Sequence, residues 1–459
     1  MRKPEPCRIR KVLRGAPGSP SPDRTILDDL SGFLAVRTVL IGPSGDASEV
    51  DGRSRAGEAG WSIVSTPAPP RPALLLLAYL AFVSLGLPDG LLGVGWPSMR
   101  ADFDVPTEAV GLMLTAGTIG YLTASVLGGF SLARLGVGRL LAGSTLLASF
   151  ALTGYAASPG LAVTTACALL LGLGSGAIDS GLNAYAAGAF GSRHMNWMHA
   201  FFGLGVAIGP LIMTLVLSAG LAWRWGYGMV AAAQLALGLA FALTVRAWAD
   251  RPAPGATPTG PAPPTTTDPV RVRETLLLPA VWLGALAFAV YVAIEIAAGL
   301  WAFLLLTEGR GLAAGAAGVC VSGYWGSLFL GRVVQGFVAE RLGTGRVLRG
   351  SLLGMVAGAV LIALPAPAWV AVAGLLVLGF AAAPVFPLLT LNTADRVGAA
   401  HADRAIGLQI ATAGLGGALV PTGIGVLVAN TSIEALGPAL VVLAVALTVV
   451  HAVASPRRP

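Results

Sequence analysis

From Pro72 onward the chain alternates between long apolar runs and short polar segments, and twelve such runs can be counted. They cover residues 73–95, 107–130, 138–157, 161–187, 198–220 and 225–246, then 277–305, 312–337, 345–364, 368–391, 405–429 and 436–454. Each is close to the roughly 20 residues that an α-helix needs to cross about 30 Å of hydrocarbon. The pattern predicts an all-α membrane protein with 12 transmembrane helices, grouped as a six-helix bundle over 73–246 and a second over 277–454.

Two stretches break the pattern. Residues 1–72 hold 11 of the 29 Lys and Arg and 8 of the 22 Asp and Glu, mixed with Pro, Ser and Gly. Their one apolar patch, Leu30 to Ile41, is too short to span and contains Arg37. No apolar core with a small-residue cleavage site follows the basic start, so a secretory signal is not expected. The segment reads as a disordered basic cytoplasmic tail. A second reading has translation starting near Val64, which would leave residues 1–63 outside the native protein. Residues 247–276, rich in Pro and Thr, cannot form a packed core and read as a flexible cytoplasmic linker.

Composition agrees, with 55% hydrophobic residues, 11% charged and a mean hydropathy of +0.78. A soluble domain carries about 25% charged residues, so an ordinary water-soluble surface is excluded. The net charge of +7 does not point to nucleic acid, because the arginines sit in short segments between apolar runs. Their distribution carries topology instead. With the N-terminus inside, fourteen arginines fall in cytoplasmic loops, the linker and the C-terminal segment 455–459. Only Arg100, Arg224 and Arg310 fall on the other side. The positive-inside rule then places both termini in the cytoplasm and the protein in the cell's cytoplasmic (inner) membrane.

The two halves repeat each other in order and register. Leu-Ala-Phe at 80–82 followed by Asp89 recurs as Leu-Ala-Phe at 286–288 followed by Glu295. Gly-Phe-x-x-x-Arg-Leu-Gly-x-Gly-Arg at 129–139 recurs at 336–346, and Gly-Leu-Gly-x-Ala-x-x-Pro at 203–210 recurs at 414–421. Parallel six-span repeats place a binding site between the halves near the bilayer midplane.

The loop after spans 2 and 8 resembles a signature of the major facilitator superfamily. It is nearly complete in the second half, at Gly336, Glu340, Arg341, Gly343, Gly345 and Arg346, whereas the first half has Ala133 where the acid is expected. The resemblance implies a cytoplasmic gate held by charge pairing, with Arg134, Arg139, Glu340, Arg341 and Arg346 as its candidates. The alternative is that Arg134 and Arg139 serve topology alone.

Ionisable groups inside the spans carry the candidate chemistry. Each costs roughly 2.5–3.5 kcal/mol at a helix centre, so it is expected to face a cavity or a partner. Asp89, Asp179, Glu295 and Arg332 are such groups. His199 lies near a span end and reads as interfacial. Desolvation raises a carboxyl pKa, so Asp89, Asp179 and Glu295 are proton-coupling candidates. Asp89 or Glu295 could instead pair structurally with Arg332, and Asp179 could simply hydrogen-bond a neighbouring helix. Asn183 follows Asp179 by one helical turn and shares its face. An acid in span 1 with an acid and Asn in span 4 resembles the proton-coupled fucose permease group, which implies that Asp89 takes the proton and that Asp179 with Asn183 couples it to substrate. Tyr291, Glu295 and Trp301 in span 7 resemble a pattern of that group's bacterial relatives. Tyr121, Tyr291, Trp301, Tyr324 and Asn392 join Asn183 as substrate-binding candidates. Trp96, Trp223, Trp225, Trp248, Trp282 and Trp369 lie near span ends and read as an interfacial belt.

The glycines of 203–210 partly resemble a motif of drug/proton antiporters, but they also suit close helix packing. Pro384 and Pro387 in span 10 suggest a gating kink. Cys7, Cys167 and Cys320 are too scattered for a disulfide framework, and the four histidines form no metal-ligand pair. No cofactor is expected, and no motif of a hydrolase or nucleotide-driven enzyme is present. The expected function is secondary active transport of a small polar solute with protons, by a monomer in the lipid bilayer. Drug or metabolite efflux is the alternative.

Overall fold

The computed structural model describes residues 71–248 and 272–454. Most of the 1–72 tail, most of the 247–276 linker and residues 455–459 lie outside the described residues. Twelve helices are long and apolar enough to cross a membrane. In the first half these are α1 (Pro72–Phe103), α2 (Val110–Leu135), α3 (Val137–Ala157), α4 (Leu161–Ala189), α5 (Gly191–Ser218) and α6 (Arg224–Thr244). In the second they are α7 (Pro279–Leu304), α8 (Ala314–Leu342), α9 (Thr344–Ala363), α10 (Ala368–Ala382), α11 (Ala399–Asn430) and α12 (Leu436–Ala454). After α10 the same span resumes as Val385–Leu391. No strand occurs among the described residues. In hydrocarbon every backbone N–H and C=O must find a partner within the chain, and a helix provides that within one segment.

Several helices overrun their apolar runs. α1 continues past residue 95 to Phe103, and α5 begins at Gly191 rather than 198. Hydropathy marks the part matched to hydrocarbon, whereas a helix's own hydrogen bonds hold equally well beyond it. α1 stops where Asp104 turns left-handed, at φ 52°, with its N–H bonded to the Arg100 carbonyl.

The sequence repeat is also a packing repeat. In the first half α1 packs on α5, α2 on α4, and α3 on α4 and α6; in the second α7 packs on α11, α8 on α10, and α9 on α10 and α12. Association in lipid relies on close backbone approach, which small residues permit. Gly172 and Gly176 of α4 lie on the backbone of Gly117 and Tyr121 of α2. A Cβ at Gly172 would overlap the Gly117 carbonyl, so this crossing needs glycine, and it sets how near α2 brings its tyrosine to α4.

The halves meet along α5–α8, α2–α11 and α1–α7. Twelve crossings bring both ends of the described chain to one side, called here the terminal side. On the far side the seam is tight. Gly93 of α1 lies on Gly299 and Leu300 of α7, Gly111 of α2 on Thr422 of α11, and Gly318 of α8 on Thr214 of α5. Further along the α2–α11 seam Gly414 still faces Thr118 and Leu122, but Gly129 and Gly407, nearer the terminal side, have nothing to meet. The seam therefore parts toward the terminal side.

An ion pair closes the far side, with Arg100 Nη2 3.3 Å from Glu308 Oε1. Its side chains are 30% and 53% exposed, and exposed pairs contribute about 1 kcal/mol or less. Glu308→Gln is expected to raise the far-side-open population by a few-fold at most, while the glycine contacts keep most molecules closed. Labelling of a cysteine introduced on the far-side wall measures this; an unchanged labelling rate would show that the pair does not bear on closure.

The tryptophan belt divides in two. Trp225, Trp282 and Trp369 are exposed as expected. Trp96, Trp223 and Trp248 are buried, and their indole N–H groups donate to Thr107 O, Asp102 Oδ2 and Thr244 Oγ1. Proximity to a span end does not separate a lipid-facing ring from one turned into the bundle.

Candidate functional site

Between Ala81 and Trp96, Asp89 is the one exposed residue of α1. It follows Pro88, which lacks an N–H and loosens the helix there. Its exposure opens inward: Tyr121 of α2, Tyr155 of α3 and Tyr227 of α6 all lie within electrostatic range of it. The rings of Tyr155 and Tyr227 are 4.9 Å apart, and the buried Tyr227 hydroxyl has no hydrogen-bond partner.

Asp179 stands on α4 across from Tyr121. The Tyr121 hydroxyl donates to Asp179 Oδ2 at 2.8 Å, and Asn183 Nδ2 donates to Asp179 Oδ1 at 2.9 Å. Both carboxylate oxygens thus accept a hydrogen bond. Asn183 Oδ1 is buried without a partner, leaving one acceptor available beside the acid. Tyr121 is bonded to Asp179 and lies in electrostatic range of Asp89, without a hydrogen bond to it.

The second half supplies a charge pair. Arg332 Nη2 of α8 lies 3.6 Å from Glu295 Oε1 of α7, with side chains 23% and 12% exposed respectively. Of the two acids that could pair with Arg332, Glu295 is the one that does. The Tyr324 hydroxyl donates to the Glu295 backbone carbonyl at 2.9 Å. The Tyr291 hydroxyl lies beside Glu295, short of a well-formed hydrogen bond.

His199 joins the halves. It lies well inside α5, its ring edge-on to Phe82 with centroids 5.1 Å apart, and within electrostatic range of both Asp179 and Arg332. Gly203, one turn on, faces the Arg332 guanidinium. The reading of His199 as interfacial agrees with a span of Trp197–Ser218, but it does not foresee the approach of Arg332 to this face. The available signal was the i, i+4 spacing of His199 and Gly203, which puts them on one face.

The remaining candidates lie elsewhere. Trp301 is 1% exposed and donates to the Pro421 carbonyl at 3.0 Å, tying α7 to α11. Asn392 lies at the terminal side, in a pocket of the second half with Arg346 and Arg396. Among the gate candidates, Arg134, Arg139, Arg341 and Arg346 are exposed. Arg134 stacks over Phe130 at 4.1 Å, and none of the four pairs with a described carboxylate. The Glu340 side chain lies outside the described residues. Unpaired gate arginines accord with a seam that parts on this side. No group of three or more metal-ligating side chains occurs among the described residues.

The sequence profile of the Major Facilitator Superfamily matches residues 78–421, and again 288–459. The chain belongs to the major facilitator superfamily. It is a multi-pass membrane transporter, not an enzyme. No curated protein matches it. Among solved structures it is similar to the nucleoside transporter NupG, at 16% identity with a TM-score of 0.68, covering 84% of this chain and 100% of that one. It is also similar to FucP in the outward conformation, at 16% identity with a TM-score of 0.56, covering 84% and 99%. At this identity the likeness is one of fold, and it extends over both halves of the superfamily architecture.

Proposed function

We propose that this superfamily member is a proton-coupled symporter importing a small hydroxylated solute, a sugar or a nucleoside, across the cytoplasmic membrane. The carrying observation is the Tyr121–Asp179–Asn183 cluster, where a carboxylate accepts two hydrogen bonds beside an unpartnered amide oxygen. A solute hydroxyl or N–H can donate to Asn183 Oδ1, while protonation of Asp179 would end its role as a double acceptor. Protonation would thus free one of its two donors, Tyr121 or Asn183, for the solute. Proton and solute then favour each other's binding, the positive coupling that symport requires. Asp89 is the second proton site, near Tyr121, and Glu295 with Arg332 is the charge pair that the second half contributes. A nucleoside is favoured by the similar fold of the nucleoside transporter NupG, and a sugar by the resemblance of Asp89, Asp179 and Asn183 to the fucose permease group. The arginine asymmetry supports cytoplasmic termini, so the parted side of the seam faces the cytoplasm. Each chain carries a whole pathway, and a monomer suffices.

The glycines that resembled an export motif serve packing: Gly205 and Gly209 of α5 lie on the backbone of Val83 and Leu87 in α1. Export is therefore the weaker reading. Purified protein in liposomes, offered a panel of nucleosides and monosaccharides with acid outside, is expected to accumulate at least one, and an uncoupler should abolish the accumulation. Accumulation insensitive to the uncoupler, or no uptake across the panel, overturns the proposal.

A further inference from the structure

A cavity bordered by charged side chains lies at the terminal side, within the second half and apart from the Asp89–Arg332 cluster. It has a volume of about 700 Å³ and is lined by Arg346 and Arg349 of α9, by Asp395 and Arg396 after α10, and by His451 of α12. Three guanidinium groups face one carboxylate across it. Among the described residues, none of the three pairs with an acid within 4.0 Å. Arg346 and Arg349 bond only backbone carbonyls, those of Leu342 and Gly345.

Arg396 meets another basic group: its Nη2 lies 3.0 Å from His451 Nδ1. A guanidinium can only donate, so the neutral imidazole accepts through Nδ1. Burial lowers the Arg396 pKa from its ordinary value, as expected for a partly desolvated cation that lacks a counter-ion. Gly343, Thr344 and Gly345 at the start of α9 also line the cavity, and no side chain caps that helix end, so its positive dipole end adds to the field.

The architectural repeat does not demand this arrangement. Arg346 has its counterpart in Arg139, but the position equivalent to Arg349 is Ala142. Arginines placed only to fix topology need not converge from two elements on one cavity, with a histidine from a third. We propose that this cavity binds a phosphate-type anion, either a free phosphate group or the headgroup of an anionic lipid. Guanidinium groups hold phosphate by paired charge-assisted hydrogen bonds, and basic pockets at the membrane face bind anionic headgroups. With Asp395 offsetting one of the three arginines, the site retains charge for a mono- or dianion.

The test uses the full chain in nanodiscs of phosphatidylcholine alone or with added phosphatidylglycerol, read by native mass spectrometry and by thermal unfolding. Selective retention of phosphatidylglycerol, reduced about tenfold in Arg349→Gln/Arg396→Gln but not in Arg139→Gln, assigns the headgroup. A saturable rise in unfolding temperature with inorganic phosphate in phosphatidylcholine discs, lost in the same double variant, assigns free phosphate. Should the double variant not fold, the exposed Arg349→Gln alone serves. The proposal is overturned if neither ligand distinguishes wild type from the variant, or if Arg139→Gln loses as much, because that would make the effect one of bulk charge.

Discussion

Asp179→Asn is expected to reduce gradient-driven accumulation of the solute by at least about tenfold, while substrate exchange at equal pH on both sides persists. The amide keeps the shape and can still accept from Tyr121 or Asn183. It cannot bind and release a proton, and it loses the charge that strengthens both hydrogen bonds, each worth about 1.5–3 kcal/mol when the acceptor is ionised. Part of that cost returns when the amide's own N–H₂ finds an acceptor in Asn183 Oδ1, which is unpartnered in the native chain. Binding should therefore weaken less than coupling. Asp89→Asn tests the second site in the same assay. It removes a carboxylate that holds no hydrogen bond to the Tyr121–Asp179 pair, so accumulation should fall with exchange nearly intact. Retention of uncoupler-sensitive accumulation by both variants would sink proton coupling through these residues, and loss of exchange along with accumulation would make them binding groups instead.

Arg332→Gln is expected to destabilise the fold and stop transport, and pairing it with Glu295→Gln should restore the fold alone. Removing one member of a buried ion pair strands the other, at about 3–5 kcal/mol in a dry interior. Here the partial exposure of both side chains admits water, and about 1–3 kcal/mol is the better expectation once screening is allowed for. Thermal unfolding of the two single variants and the double closes the cycle. A double variant no more stable than the singles would mean that the two residues act separately. A double variant that transports normally would remove the pair from the working cavity.

Much of this arrangement can be read from the sequence because the bilayer restricts what a chain can do. Twelve apolar runs become twelve helices since nothing else satisfies the backbone in hydrocarbon, and the repeats at Asp89/Glu295 and Gly203/Gly414 mark equivalent crossings. Asp179 and Asn183 are legible because i, i+4 spacing is local. What fails is whatever depends on helix rotation. Trp301 and Tyr324 belong to the same class of intramembrane aromatic as Tyr121, yet they turn into helix contacts while Tyr121 turns to an acid. Asn392 directly follows span 10, so the end of the apolar run already places it at the terminal side rather than midway through the bundle. His199 sits near the end of the span Trp197–Ser218, and its nearness to Arg332 across the seam also follows from helix rotation.

The gap between Ala382 and Val385 sets span 10 apart from its repeat partner α4, which is continuous. Pro384 and Pro387 cannot donate backbone hydrogen bonds, so this span behaves as two rods on a pin, whereas α4 behaves as one beam. A force applied at the terminal end of the second half, where Arg396 and Asn392 lie, is absorbed at the pin. The first half has no such break between the terminal side and Asp179 along α4. Such a machine is stiff along the helix that carries its acid–amide pair and compliant along that helix's counterpart, so Asp179 and Asn183 keep their register while span 10 bends.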